Sequence, residues 1–346
     1  MTTKRVAILM TLIILAGSVW WMFKAPSPIL SIPVRGRAFI LQFHPSLPLL
    51  AIGSQDNKQP DHLTVIEFNT NKRTIRTVFQ ESALQCSWSP DGRRFIFARE
   101  SEEGYLHNIL TYRTTDWSRL WKTPFPDAFP HSLVELQDNE VIAVGGVVGE
   151  TGWYKMRGAH LVSTRHAPLE FGRDSEFVLE ATAISTDQSN RIAISYTTSS
   201  PEIPVEIGMI EFSVQGPHYT KRIDTVLTGP HNVRFLPDGR TLVGASNTQV
   251  VLVDSQSGQA IRAVPANRLL SGEPTPLSQT LDVSLDGQLV AIVELGQVVV
   301  RRLPALKECA RFRGYYSAAR ISSDNRKVAL SRMNRVDLFE LPSLTQ

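Results

Sequence analysis

Cysteine is almost missing: the chain of 346 residues holds two, Cys86 and Cys309. Two such distant thiols make no disulfide framework, and neither has the Cys-X-X-Cys spacing of a redox or metal site. No disulfide partner is expected. Runs of basic residues are missing too, since "KR" at Lys4-Arg5 and "RR" at Arg93-Arg94 and Arg301-Arg302 are isolated pairs and the net charge is +3. That balance gives no reason to expect a nucleic-acid partner. There is no Gly-X-Ser-X-Gly elbow, no phosphate-cradling glycine loop and no His-Glu-X-X-His pair. Without a catalytic spacing, the sequence predicts a protein that is not an enzyme, with no cofactor and no metal. Asn-X-Ser/Thr acceptors are also absent, which fits a bacterial envelope protein.

What is present is a recurring hairpin. In "WSPDGRRFIFARE", Trp88 closes an apolar stretch and Ser89-Pro90-Asp91-Gly92 is turn chemistry. Phe95 and Phe97 then share one face of an extended segment. The same unit returns in "FLPDGRTLVGAS" and "VSLDGQLVAIVE", and in weaker form four more times. Its anchors are Phe43, Trp88, Leu136, Ile184, Phe235, Val283 and Ile321. Their spacing of roughly 40–50 residues is the period of a four-stranded propeller blade. "TVIEFNTNKRTIRTV" and "VVLVDSQSGQAIRAV" supply the other two strands of copies one and five. The turn acids Asp91, Asp238, Asp286 and Asp324 are explained by this hairpin chemistry and are not read as a catalytic set.

These repeats resemble WD-repeat blades, and "WSPDGRRFIFARE" resembles the repeat of TolB-type propellers. The Gly-His and Trp-Asp pairs of typical WD repeats are absent from nearly all copies. The expected fold is all-β: a seven-bladed antiparallel β-propeller over residues 29–346, preceded by one N-terminal transmembrane helix. Copy seven lacks a fourth strand, so residues 28–35 ("PILSIPVR") are expected to close the ring as its outer strand.

The uncharged run "VAILMTLIILAGSVWWMF", residues 6–23, is long enough to cross a bilayer and carries Trp20 and Trp21 for its interface. Residues 1–5 then form a cytoplasmic tail and residues 24–28 a short linker. Lys4 and Arg5 place the tail inside and the propeller in the periplasm or another extracytoplasmic space. A secreted protein cleaved near Ala16-Gly17-Ser18 is the alternative.

Two candidate sites follow. Long stretches in copies two and three read as top-face loops, with Tyr105, Trp153, Tyr154, Lys155 and Arg157 mixing aromatic and basic groups as interfaces do. These point to a scaffold that binds an unknown extracytoplasmic protein partner. His131, Glu180, His231, Gln279 and Tyr316 precede or open inner strands. They could line the top channel mouth of a sensor or enzyme for a small ligand or metal.

Overall fold

The computed structural model describes residues 26–56, 59–83, 85–100, 107–125, 129–135, 140–147, 150–168, 177–184, 191–198, 205–213, 216–227, 232–245, 248–266 and 280–343. Every regular element among them is a β-strand. The first eight are β1 (Leu30–Phe43), β2 (Leu49–Asp56), β3 (Gln59–Asn69), β4 (Thr74–Glu81), β5 (Gln85–Trp88), β6 (Arg94–Glu100), β7 (His107–Arg113) and β8 (Arg119–Phe125). Next come β9 (Phe129–Glu135), β10 (Glu140–Val147), β11 (Glu150–Arg157), β12 (His160–Pro168), β13 (Phe177–Ile184), β14 (Arg191–Thr198), β15 (Val205–Ser213) and β16 (Gly216–Leu227). The remainder are β17 (Asn232–Phe235), β18 (Thr241–Ala245), β19 (Gln249–Asp254), β20 (Ala260–Pro265), β21 (Leu281–Val283), β22 (Leu289–Glu294), β23 (Gln297–Arg302), β24 (Lys307–Arg313), β25 (Ala318–Ile321) and β26 (Lys327–Glu340).

The turn chemistry acts as its residue types dictate. Asp91 accepts from the Arg93 amide and the Ser89 hydroxyl, and Gly92 takes a φ of 71°. Ser284 with Asp286, and Ser322 with Asp324, repeat this arrangement. Their fourth turn positions, Gly287 and Asn325, also have positive φ, which glycine and asparagine tolerate best. In each case the serine hydroxyl also accepts the amide that opens the next strand.

Five of the resulting sheets have four antiparallel strands, while β25, β26, β1, β2, β3 and β4 pair in that order as a single six-stranded sheet. The seven separate four-stranded blades expected from the repeats are therefore not what the described strands form. The cause is local. β1 and β26 each run on through a bend, at Gly36 (φ 68°) and Asn334 (φ 65°); their pairing shifts register there and resumes with Arg37 opposite Met333. No helix among the described residues is long and apolar enough to cross a membrane, and the expected anchor at 6–23 lies outside them.

Apolar layers hold the sheets together. The first strands β1, β5, β9, β13, β17, β21 and β25 adjoin one another in that order, and β25 adjoins β1. Phe39, Leu63, Trp88, Phe95 and Phe97 fill the layer between the sheets of β1 and β5. Leu289, Val298, Phe312, Tyr316 and Leu330 fill the one between β22 and β26. In a third cluster Ile32, Val336 and Leu338 meet Leu41, Leu50 and Ile52, so the six-stranded sheet packs against itself. Burying side chains of this size contributes about 1.5–3 kcal/mol each.

The two ends of the chain meet here. Leu30, Ser31, Ile32 and Pro33 lie opposite Leu338, Asp337, Val336 and Arg335. Ser31 Oγ donates to Asp337 Oδ1 at 2.6 Å, and the buried Asp337 also pairs with Arg335 at 3.2 Å and Arg332 at 3.5 Å. The hydroxyls of Ser317 and Ser331 both reach the Ala38 carbonyl, at 2.9 and 2.8 Å.

Asp337→Ala leaves Ser31 and two partly covered guanidiniums without this carboxylate. It should cost about 2–4 kcal/mol, and Asp337→Asn less, because the amide oxygen still accepts from Ser31. Urea midpoints at neutral pH measure both, and an unchanged midpoint for Asp337→Ala would show that this contact does not hold the termini.

Candidate functional site

The ring has two ends. One, here called lower, carries the first-to-second-strand turns; the upper end carries the second-to-third-strand turns and the joins between successive sheets.

Polar groups at the lower end are occupied by the fold. His44 Nδ1 accepts the amides of Ser46 and Leu47 at 3.1 and 2.9 Å, so its Nε2 carries the proton it donates to the Gly92 carbonyl, 2.8 Å away. This joins the turn after β1 to the turn after β5. Ser323 Oγ reaches the His44 carbonyl, and Asn325 Nδ2 donates to Asp286 at 2.6 Å. Successive turns are thus linked side to side. Burial pushes Asp91, Asp238, Asp286 and Asp324 up, but hydrogen bonds outweigh it and hold all four below the usual carboxylate range. They are turn pins, not reagents.

A second polar group sits on the inner strands. Asp282 of β21 is buried; its Oδ1 lies 2.6 Å from Arg320 Nη1 of β25, and its Oδ2 accepts the Ile321 amide at 2.7 Å. Burial raises its carboxyl, opposed by Arg320, the Ile321 amide and Arg234. Arg234 of β17 is drawn down to about 10 by burial and by Arg320, against the pull of Asp282. The carboxylate is held by an adjoining strand at both oxygens, so it joins β21 to β25. Among the described residues, no three His, Cys, Asp or Glu side chains gather as a metal set. Cys86 and Cys309 are free thiols, and burial pushes Cys86 up to about 12.

The proposed upper loop of copy three is instead a strand. Residues 150–157 form β11, paired to β10 and β12 along its length, and residues 148–149 lie outside the described residues. Alternation then decides each side chain. Tyr154 points inward, 2% exposed, against Phe125 at 4.4 Å between ring centres, and Met156 joins the same cluster. Lys155 is half-buried between them. Arg157 is exposed but stands beside the Gly158 turn to β12, at the lower end. Trp153 lies mid-strand in β11, and Tyr105 falls outside the described residues.

Of the channel-mouth set, Tyr316 is the one whose side chain is described. Tyr316 is 3% exposed in the apolar layer beneath β26. Its ring lies under the Arg332 guanidinium at 4.6 Å, and its hydroxyl takes a hydrogen bond from Arg332 at 2.6 Å. His131 lies within β9, and Glu180 at a register shift in β13. His231 and Gln279 are outside the described residues.

The neighbour of Tyr316 is the residue that sequence reasoning missed. Tyr315 is 73% exposed, and two other large apolar side chains stand free close by, Leu295 at 48% and Met333 at 80%. The Gly314 amide donates to the Gly296 carbonyl at 2.8 Å, tying the Tyr315 loop to the Leu295 turn. A Cβ on Gly314 would meet Arg332 Nη2 at 2.6 Å, so the guanidinium of the residue before Met333 lies against that loop. In "GYYS" alternation sends one tyrosine in and one out, but only the packing shows which.

No family model matches the chain. Eukaryotic translation initiation factor 3 subunit I of Phaeosphaeria nodorum is 32% identical over 78 residues, covering 22% of this chain and 22% of that protein. Among solved structures, Chaetomium thermophilum Raptor superposes with a TM-score of 0.64 at 12% identity, covering 92% of this chain and 29% of Raptor. The Cps50 (Swd1) β-propeller domain of Myceliophteria thermophila gives 0.58 at 13%, covering 90% and 99%. The C-terminal WD40 domain of Sif2 gives 0.58 at 12%, covering 90% and 98%. The chain therefore has a β-propeller fold that resembles WD-repeat propellers, while it spans less than a third of Raptor and matches the initiation-factor subunit over a short stretch.

Two outcomes follow from the buried rings. Tyr154→Ala should destabilise by about 3–5 kcal/mol, as for other large buried aromatics, and a thermal shift within error would place Tyr154 on the surface. His44 is held below its ordinary value by burial, against the Gly92 bond and the Asp91 charge. Protonating Nδ1 would also eject two amide donors. The unfolded chain therefore binds this proton more readily, so stability is full above the unfolded value of about 6.5 and falls as pH drops below it. Wild type should lose more stability between pH 7 and pH 5 than His44→Gln does, by at most about 1.4 kcal/mol per pH unit. Parallel pH curves would remove this assignment.

Proposed function

We propose that this chain is a non-catalytic protein-interaction module: a WD-repeat-type propeller of seven four-stranded blades, tethered through residues 6–23 and facing an extracytoplasmic space. One observation carries the interaction reading. Asp91, Asp282, Asp286 and His44, which could do chemistry, are locked into turns and strand joins, while Leu295, Tyr315 and Met333 are each exposed on neighbouring elements of the upper end. A surface cluster of that kind is the usual mark of a contact with another macromolecule. Such propellers offer a rigid frame on which exposed turns can meet a partner.

The count of seven rests on the inner strands. β1, β5, β9, β13, β17, β21 and β25 follow one another round a closed ring. The six-stranded sheet supplies two blades when divided at Gly36 and Asn334. Residues before Gly36 then form the outer strand of the last blade, and residues after it the inner strand of the first.

The tether follows from where the chain joins this ring. The Ile29 amide donates to the Leu338 carbonyl, near the lower end, and β1 rises from there to the bend at Gly36. A short linker at residues 24–28 would hold that lower end near a bilayer and turn the upper end away. Lys4 and Arg5 favour keeping the preceding tail cytoplasmic.

Cross-linking of the tagged full-length chain in its own cells, followed by mass spectrometry, tests the module. A discrete species joined to another polypeptide is expected. A chain that cross-links to none and turns over a small molecule would overturn the reading. Orientation is tested by an impermeant thiol reagent on intact cells: Met333→Cys should label readily and Asn71→Cys, in a lower-end turn, poorly. The opposite ranking would reverse the proposed face.

A further inference from the structure

We propose that the upper end, where the β22–β23 turn, the loop after β24 and the bend in β26 come together, docks an acidic segment of a protein partner. Its apolar side chains would cover Leu295, Tyr315 and Met333, and its carboxylates would meet the arginines around them. The proposal rests on the interaction-module reading and narrows it to one face and one partner chemistry.

The elements are contiguous through bonds already described. Gly296 and Gly314 are hydrogen-bonded, so Leu295 and Tyr315 occupy adjoining turns. The Arg332 guanidinium reaches Gly314 and donates to Tyr316, so the bend that carries Met333 lies within one arginine side chain's reach of the Tyr315 loop. Arg37 lies opposite Met333 in the β1–β26 register, and Arg313 opposite Gln297 in the β23–β24 register. Arg37, Arg313 and Arg335 are all exposed. Two carboxylates on these elements, Glu294 and Asp337, are buried. Glu294 accepts from Gln297 at 2.6 Å, and Asp337 is held by Ser31 and its arginines. The described surface here thus sets the exposed Leu295, Tyr315 and Met333 beside the exposed Arg37 and Arg313, while Arg335 is already paired with Asp337.

Charge and residue type select the occupant. Guanidinium groups bind carboxylates through paired, directional hydrogen bonds, so exposed arginines suit acidic side chains of a protein. An exposed tyrosine and methionine beside them suit apolar anchors. The chain's own N-terminal segment joins β1 at the lower end, roughly 23 Å from the bend at about 3.3 Å per residue.

The test uses the full-length chain in non-ionic detergent and a fluorescent glutamate–tyrosine copolymer, with polylysine as the opposite charge. Anisotropy should show binding of the copolymer that weakens strongly at about 0.5 M salt, and none of polylysine. Tyr315→Ser with Met333→Ser, and separately Arg37→Glu with Arg313→Glu, should each weaken binding about tenfold or more. The Tyr315 and Met333 variant should keep the wild-type urea midpoint, since both side chains are exposed, and Arg37→Glu alone serves as the charge variant if the arginine pair lowers it. Equal affinity in wild type and variants, or no copolymer binding at all, overturns the proposal. So does binding to phosphatidylserine vesicles through these residues without copolymer binding, or a self-association that Tyr315→Ser abolishes. If polypeptide cross-links persist in cells when Tyr315 and Met333 are serine, the module reading stands and this face is the wrong one. If wild type gives no polypeptide cross-links, the broader reading fails first.

Discussion

Everything in this fold depends on the pairing of the first strand with the last. Leu30 to Pro33 lie against Arg335 to Leu338, and that ladder joins residues some three hundred positions apart. An open ring would leave β26 with a bare edge and one apolar layer half covered. The pairing instead lets Ile32, Val336 and Leu338 face Leu41, Leu50 and Ile52 across the join. Such a contact forms only after the intervening sheets have ordered, because its loop-closure cost precedes its gain. The aspartate at this join, the two serines on Ala38 and the bend at Gly36 belong to one device.

The join also explains why polar residues recur without being catalytic. A ring of radial sheets leaves its hairpin turns crowded at one end, where backbone carbonyls and amides need partners away from bulk water. His44, Asp91, Asp286, Ser323 and Asn325 supply them, within a turn or from one turn to the next. A repeated acid is then a consequence of a repeated turn. Asp282 answers the same need on the inner strands, where it holds Arg320 and the Ile321 amide together.

Much of the fold was legible from short-range chemistry. The Ser-Pro-Asp-Gly type of turn, the aromatic or aliphatic anchor before it and the alternating strand after it all have local causes, and each lies where its residues predict. The candidate sites were far less legible. "VVGETGWYKMRGAH" reads as a loop because glycines and charges interrupt it, yet β11 accepts Gly152 within its ladder and buries alternate residues from Tyr154 on. Tyr315 and Tyr316 are indistinguishable in sequence. Which one is core depends on Arg332, which arrives from another strand to cover the inner ring. Exposure is a property of neighbours, and those neighbours are set by tertiary packing.

The two ends of the ring differ in how their polar groups are used. At the lower end, hydrogen bonds between successive turns occupy the polar side chains, while Leu47 and Leu285 stand exposed in those turns. At the upper end near the closing join, the chain makes its bends with Gly36, Gly296, Gly314 and Asn334, residues that permit a positive φ and place little bulk over the surface. The residues beside those bends, Leu295, Tyr315, Met333 and Arg37, are then carried outward on tight, well-supported corners. Leu338, Tyr316 and Ala38 below them are buried, so the corners cannot fold inward to hide their apolar side chains. Closing the ring thus sets the Met333 bend at its seam, while the Gly314–Gly296 and Arg332–Tyr316 hydrogen bonds hold the Leu295 and Tyr315 turns beside it. A rigid cluster loses little conformational freedom when it is covered, which is the condition under which a small surface can hold a partner.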